Sequence, residues 1–171
     1  MTITLRKPLL ADAKELASLH VRCWKETYSQ LLPDGFFSAE HQQQRLSMWQ
    51  RILTHTNPDF RIALACNQEG SLVGFAFAAA CSPEMEERPA GIERQLYSLY
   101  LLSDHHGSGA GQQLLDAVLG DQPALLWVAE QNPRAIAFYQ RNGFVFDGQT
   151  VQDPLAPLIT DARMVRLAPR A

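Results

Sequence analysis

LYLLSDHHGSGAGQQLL, Leu99 to Leu115, joins an apolar run to a helical pattern through two histidines and three alternating glycines. Its simplest reading is a tight strand-to-helix turn in which Gly107, Gly109 and Gly111 supply unusual backbone dihedrals. Gly111, Leu114, Leu115 and Val118 fall on one helical face, so the glycines open directly into a helix. A helix start clear of side chains exposes unpaired backbone N–H groups at the positive end of the helix dipole. That arrangement suits a phosphate.

Two nucleotide cradles are tested by the next residues. A triphosphate P-loop needs Lys and Ser/Thr after its last glycine, where this chain has Gln112 and Gln113. A dinucleotide-binding oxidoreductase would find a ribose-binding acid in Glu130. Its third small residue would have to be Gln112 or Leu114, and too little chain follows for its parallel strands.

Outward from this segment, "TITLRKP" reads as a short strand ending at Pro8. Leu16, Leu19, Cys23 and Trp24 mark a first helix, with Asp12 and Glu15 as a capping box, and "LPDGF" breaks it. A second helix is expected over 38–53. "RIALAC" and "SLVGFAFAAAC" form a hairpin about the turn "NQEG". The polar loop "SPEMEERPAG" precedes the strand "RQLYSLYLL", and "ALLWVAE" is a buried strand. In "NPRAIAFYQRNGF", Asn132 suits an N-cap, Pro133 the first helical position and Gly143 the left-handed residue after the helix. "FVFDG" and "ARMVRLA" close the chain as strands, giving a mixed α/β sheet.

The 171 residues suit one domain, 1–171, and a formal net charge of −3 argues against a nucleic-acid or anionic-membrane partner. Cys23, Cys66 and Cys81 are too widely spaced for a disulfide frame or zinc site, so no metal is expected. They suit buried thiols in a reducing compartment. The N-terminus turns polar too soon for a signal peptide, and no apolar run approaches the ~20 residues of a membrane span. A cytoplasmic protein is expected.

Two segments together resemble the GNAT superfamily of acyl-CoA-dependent N-acyltransferases. His106-Gly107-Ser108-Gly109-Ala110-Gly111 is similar to the family's pyrophosphate loop, Arg/Gln-x-x-Gly-x-Gly/Ala, with His106 at the Arg/Gln position. "NPRAIAFYQRNGF" matches the family's Asn-x-x-Ala-x-x-Phe-Tyr-x-x-x-Gly-Phe element. "DAKELASLHVRCWKETYSQLLPD" looks like its first helix and substrate loop. The resemblance implies a mostly antiparallel sheet of six to seven strands flanked by about four helices, with a splayed pair of parallel central strands. It also implies acetyl-CoA as cosubstrate and a primary amine of a small molecule or peptide as acceptor, attacked directly in a ternary complex.

On that resemblance, residues 106–111 hold the CoA pyrophosphate, His106 being either a side-chain donor or a surface histidine of the turn. Leu99, Tyr100 and Leu101 pair with the pantetheine arm, the Tyr100 amide facing the thioester oxygen. Tyr139 is the general acid, a phenol protonated at neutral pH, or else a helix tyrosine packing on the sheet beside Phe138, which itself lies at the cofactor. Asn132 either bonds the pantetheine or only caps its helix. Glu93, Glu130 or a water chain serves as base. Trp24 and Tyr28 wall the acceptor site or belong to the core, and Glu84, Glu86 and Glu87 either attract a cationic acceptor or are solvated. A non-catalytic CoA-binding regulator on the same fold is the main alternative. Homodimerisation through the apolar C-terminal strands fits the same pattern.

Overall fold

The computed structural model describes residues 2–55, 57–85 and 87–167. β1 (Thr4–Arg6) leads through a 3₁₀ turn into α1 (Ala13–Tyr28) and α2 (Ala39–Thr54). The hairpin β2 (Arg61–Cys66) and β3 (Leu72–Ala80) precedes β4 (Arg94–Leu101), α3 (Ala110–Val118) and β5 (Ala124–Ala129). α4 (Pro133–Arg141), β6 (Val145–Gln152) and β7 (Thr160–Arg166) complete the order. The seven strands form one sheet in the order β1-β2-β3-β4-β5-β7-β6. Every neighbouring pair is antiparallel except β4 and β5. This is the expected mixed, mostly antiparallel sheet with four α-helices. The parallel pair requires the crossover that α3 supplies.

β3 reads as a continuous apolar run because both α1 and α3 pack against it. Side chains alternate across the sheet, so Phe75 and its partner Tyr100 meet His20 of α1. Gly74 sits opposite Leu101, where an added Cβ would lie 2.8 Å from the Tyr100 carbonyl oxygen.

The feature that makes a site is a defect in this sheet. Phe77 opposes Ser98 while its neighbour Ala78 opposes Leu96, leaving Tyr97 as an extra residue in β4. Such a bulge bends the strand. β4 and β5 pair only at Gln95–Leu125 and Leu96–Leu126, then diverge. The central strands are therefore splayed.

The helix ends differ in part from expectation. Asn132 accepts the Ala135 N–H at 3.1 Å, Pro133 opens α4, and Gly143 follows it at φ 82°. Asp12 and Glu15 form no capping box on α1. Asp12 instead accepts the Leu9 N–H at 2.7 Å and pairs with Arg6, while Glu15 accepts the Leu72 N–H at 3.1 Å. A nearby cationic partner and a strand amide both outcompete the local cap. Ala168, placed by sequence in the last strand, lies outside the described residues.

Candidate active site

Between the diverging halves of β4 and β5 lies a cavity of about 680 Å³, its walls drawn from α1, β4, the glycine loop, β5, α4 and β7. A second hollow of about 420 Å³, lined by residues such as Leu9, Ile52 and Phe60, has no carboxylate and no thiol among the described residues of its wall.

The glycine loop sits at one part of the larger cavity. Gly107 (φ 78°) and Gly109 (φ 83°) occupy the left-handed region, and Gly109 is the residue that caps α3. The amides of Gly107, Gly109, Gly111 and Gln112 have no hydrogen-bond partner among the described residues. Ala110 differs, since its N–H donates to Ser108 Oγ at 3.3 Å, and that hydroxyl donates to the His105 carbonyl. Gly111 packs on the Phe138 ring, where an added Cβ would lie 3.8 Å from it. The result is a cluster of free N–H groups at a helix start, suited to an anion.

His106 does not project as a free donor. Its Nε2 lies 2.8 Å from the Leu101 carbonyl and its Nδ1 meets the Arg134 guanidinium. A carbonyl only accepts and a guanidinium only donates, so the proton must sit on Nε2 and the ring is neutral. Burial lowers its pKa first, and Arg134 adds to that against the opposing pull of the Leu101 carbonyl.

Tyr100 departs from expectation. Leu102 N–H donates to the Val73 carbonyl at 2.9 Å. Hydrogen bonding alternates along an antiparallel pair, so the Tyr100 backbone groups also face β3, at Phe75. The amides turned toward β5, and hence toward the cavity, are those of Leu99 and Leu101. The Tyr100 amide, expected to face the thioester oxygen, is therefore turned to β3 and away from the cavity.

Tyr139 is 7% exposed, lines the cavity and has its phenol pKa raised above the ordinary value by burial, then by Tyr100 and Tyr28. Asn132 spends its carbonyl on the α4 cap and one N–H on Tyr28 Oη at 3.1 Å, leaving one N–H for a ligand. Trp24 and Tyr28 both line the cavity, their rings edge-to-face at 5.3 Å.

The carboxylates expected as bases do not reach it. Neither Glu93 nor Glu130 lines the cavity, and both are exposed at strand ends. Among the acidic loop residues, Glu84 and Glu87 are also absent from the walls, Glu87 instead accepting from Gln149 at 2.9 Å. Glu86 lies outside the described residues.

A sequence model of the acetyltransferase (GNAT) family matches residues 15–144. The chain belongs to that family. GNAT membership makes it an acyltransferase. It is similar to the uncharacterised N-acetyltransferase YuaI of Bacillus subtilis, 32% identical over 145 residues, covering 81% of this chain and 78% of that one. The peptidyl-lysine N-acetyltransferase YjaB of Escherichia coli is 25% identical over 156 residues, covering 91% and 90%. In fold, the chain is similar to the crystal structure of the PaiA N-acetyltransferase of Thermoplasma acidophilum in complex with coenzyme A. That likeness has a TM-score of 0.72 at 21% identity and covers 97% of this chain and 99% of that one.

Two residues of this GNAT site escaped the sequence reading. Arg134 stood inside the matched helical element, but only the placement of α4 beside the glycine loop brings its guanidinium to His106. Asp161, on β7 beside Ala129, is the one carboxylate in the cavity wall among the described residues. Nothing in its local sequence marks it out.

Proposed function

We propose that this GNAT protein is a single-domain cytoplasmic enzyme that transfers an acetyl group from acetyl-CoA to a primary amine of a small molecule or peptide. The observation that carries this reading is the splayed β4–β5 cleft, with unpaired loop amides and Tyr139 in one continuous cavity. The amides of Gly107, Gly109, Gly111 and Gln112 hold the CoA pyrophosphate, and Arg134 provides the positive charge that neutral His106 lacks. Strand-like pairing with the Leu99 backbone and the Leu101 N–H orients the pantetheine arm, and one of these amides polarises the thioester carbonyl. Phe138 packs at the cofactor beneath Gly111.

Direct attack by the amine in a ternary complex is supported by the one thiol that lines the cavity. Cys23 has its pKa pushed up to about 12 by burial, with Glu26 adding and Arg22 opposing, which leaves it a poor nucleophile for an acyl-enzyme. Tyr139, protonated at neutral pH, returns a proton to the departing CoA thiolate. Three buried cysteines without disulfides are consistent with a reducing cytoplasm. β6, an edge strand exposing Val145, Phe146 and Val151, offers the apolar surface for a homodimer.

Release of CoA thiol from acetyl-CoA, measured against a broad amine panel, tests the reading. The E. coli relative named above acts on peptidyl-lysine, so the panel includes a lysine peptide. Amine-dependent release supports transfer. Tight acetyl-CoA binding with no release above the protein-free rate would leave a non-catalytic CoA-binding protein.

A further inference from the structure

Among the described residues the cavity wall holds one carboxylate, Asp161. Asp161 pairs in register with Ala129 of β5, so their side chains share a sheet face. Ala129 packs there with Tyr28, Ala156 and Ile159, and Trp24, Leu31 and Leu32 close around this cluster. Trp127, two residues before Ala129, lies on the same face and also lines the cavity. Asp161 is therefore a half-buried anion bordered by aromatic and aliphatic walls. Its carboxylate makes no hydrogen bond and no salt bridge among the described residues. Arg163, two residues along the same strand face, is committed to Asp147 at 2.7 Å and to the Glu87 carbonyl.

An unpaired carboxylate costs solvation energy in such a place unless a cation meets it. The ligand it suits is a single ammonium on an apolar body, with the aromatic faces of Trp24 and Tyr28 adding cation–π attraction. We propose that Asp161 receives the acceptor as an alkylammonium or arylalkylammonium ion and takes its first proton, which makes it a substrate-binding and catalytic residue of this site. This rests on the acetyl-transfer reading above.

The proton balance closes. The ammonium gives one proton to Asp161, which passes it to water. The freed lone pair forms the N–C bond to the thioester carbon and the C–S bond breaks. Tyr139 protonates the leaving sulfur and is reprotonated by the second proton leaving nitrogen. The titratable groups facing Asp161 are Tyr28 from α1, Tyr100 from β4 and Asp153 from the segment after β6. Burial, then the like charge of Asp153, raises the Asp161 carboxyl pKa above its ordinary value, which narrows the gap to an amine.

The test uses Asp161→Asn, which keeps shape and removes charge, with 2-phenylethylamine as probe. Calorimetry first measures CoA binding to both proteins, and equal affinities establish that the variant is folded. The amine is then titrated into each CoA-loaded protein, with neutral 2-phenylethanol as control. The expected result is at least a tenfold loss of amine affinity in the variant and less than a twofold change for the alcohol. Equal amine affinities, or no amine binding by the CoA-loaded parent, would overturn the assignment of Asp161. Failure of the parent to bind CoA would instead overturn the acetyl-transfer reading beneath it.

Discussion

His106 and Arg134 are joined side chain to side chain, the first from the glycine loop and the second from the opening turn of α4. The same imidazole holds the Leu101 carbonyl at 2.8 Å, so the end of β4, the loop and α4 are tied through one neutral ring. His106 is thus a brace, and the positive charge beside it belongs to Arg134 of the neighbouring helix.

Arg134→Ala removes that charge. A hydrogen bond to a charged group contributes roughly 1.5–3 kcal/mol, so CoA affinity is expected to fall about 10- to 150-fold. Calorimetry at low and high salt should show the gap between variant and parent narrowing as salt screens the exposed arginine. An unchanged affinity would remove Arg134 from the phosphate site.

The lowered pKa of His106 sets the pH response of the same site. A histidine whose pKa lies below the ordinary 6.5 stays mostly neutral on titration from pH 8 down to about 6.5. The ratio of CoA affinities between parent and His106→Gln is therefore expected to change little across that window. A ratio that grows toward acid would mean that His106 does charge and does contact phosphate.

Tyr139→Phe leaves the ring packed against Phe138 and Phe144 but removes the proton donor. General-acid catalysis contributes about 10²- to 10⁴-fold, so kcat is expected to drop within that range. Acetyl-CoA affinity should stay within about twofold of the parent. Equal kcat across the amine panel would assign the proton to water.

His20 makes the fold sensitive to acid. It is 4% exposed and accepts the Trp49 indole N–H at 3.4 Å. Burial first, then Arg45 and His41, lowers its pKa from 6.5 to about 3. The unfolded chain therefore binds a proton below pH 6.5 that the native state refuses, and this stability is complete above 6.5 and lost as pH falls. From pH 7 to pH 5 the loss from this site is about 2 kcal/mol. Urea unfolding at both pH values should show it, and His20→Gln should flatten the difference.

Gly74→Ala tests the close approach of β3 to β4. The new Cβ would stand 2.7 Å from Leu101 Cδ1 and 2.8 Å from the Tyr100 carbonyl oxygen, and the second contact is backbone that cannot rotate away. A destabilisation of about 1–3 kcal/mol is expected by thermal or urea melting, with weaker CoA binding as the end of β4 shifts. Parent-like stability would show that the strands part freely.

Much of this protein was readable from the chain because the informative features are local. Gly107 and Gly109 are glycine because their backbone is left-handed, and "NPRAIAFYQRNGF" carries its own cap, first-turn proline and terminating glycine. Apolar periodicity likewise marked the strands and helices, since burial of one face or two is written at periods of 3.6 and 2. What tertiary structure decided were the meetings between distant segments. The direction of the Tyr100 amide depends on its register against Phe75, and pairing parity cannot be read from either strand alone. Glu93 and Glu130 looked eligible as bases because strand-end carboxylates are alike in sequence. Asp161 occupies the cavity because β7 pairs with β5, bringing its carboxylate onto the sheet face shared with Tyr28 of α1.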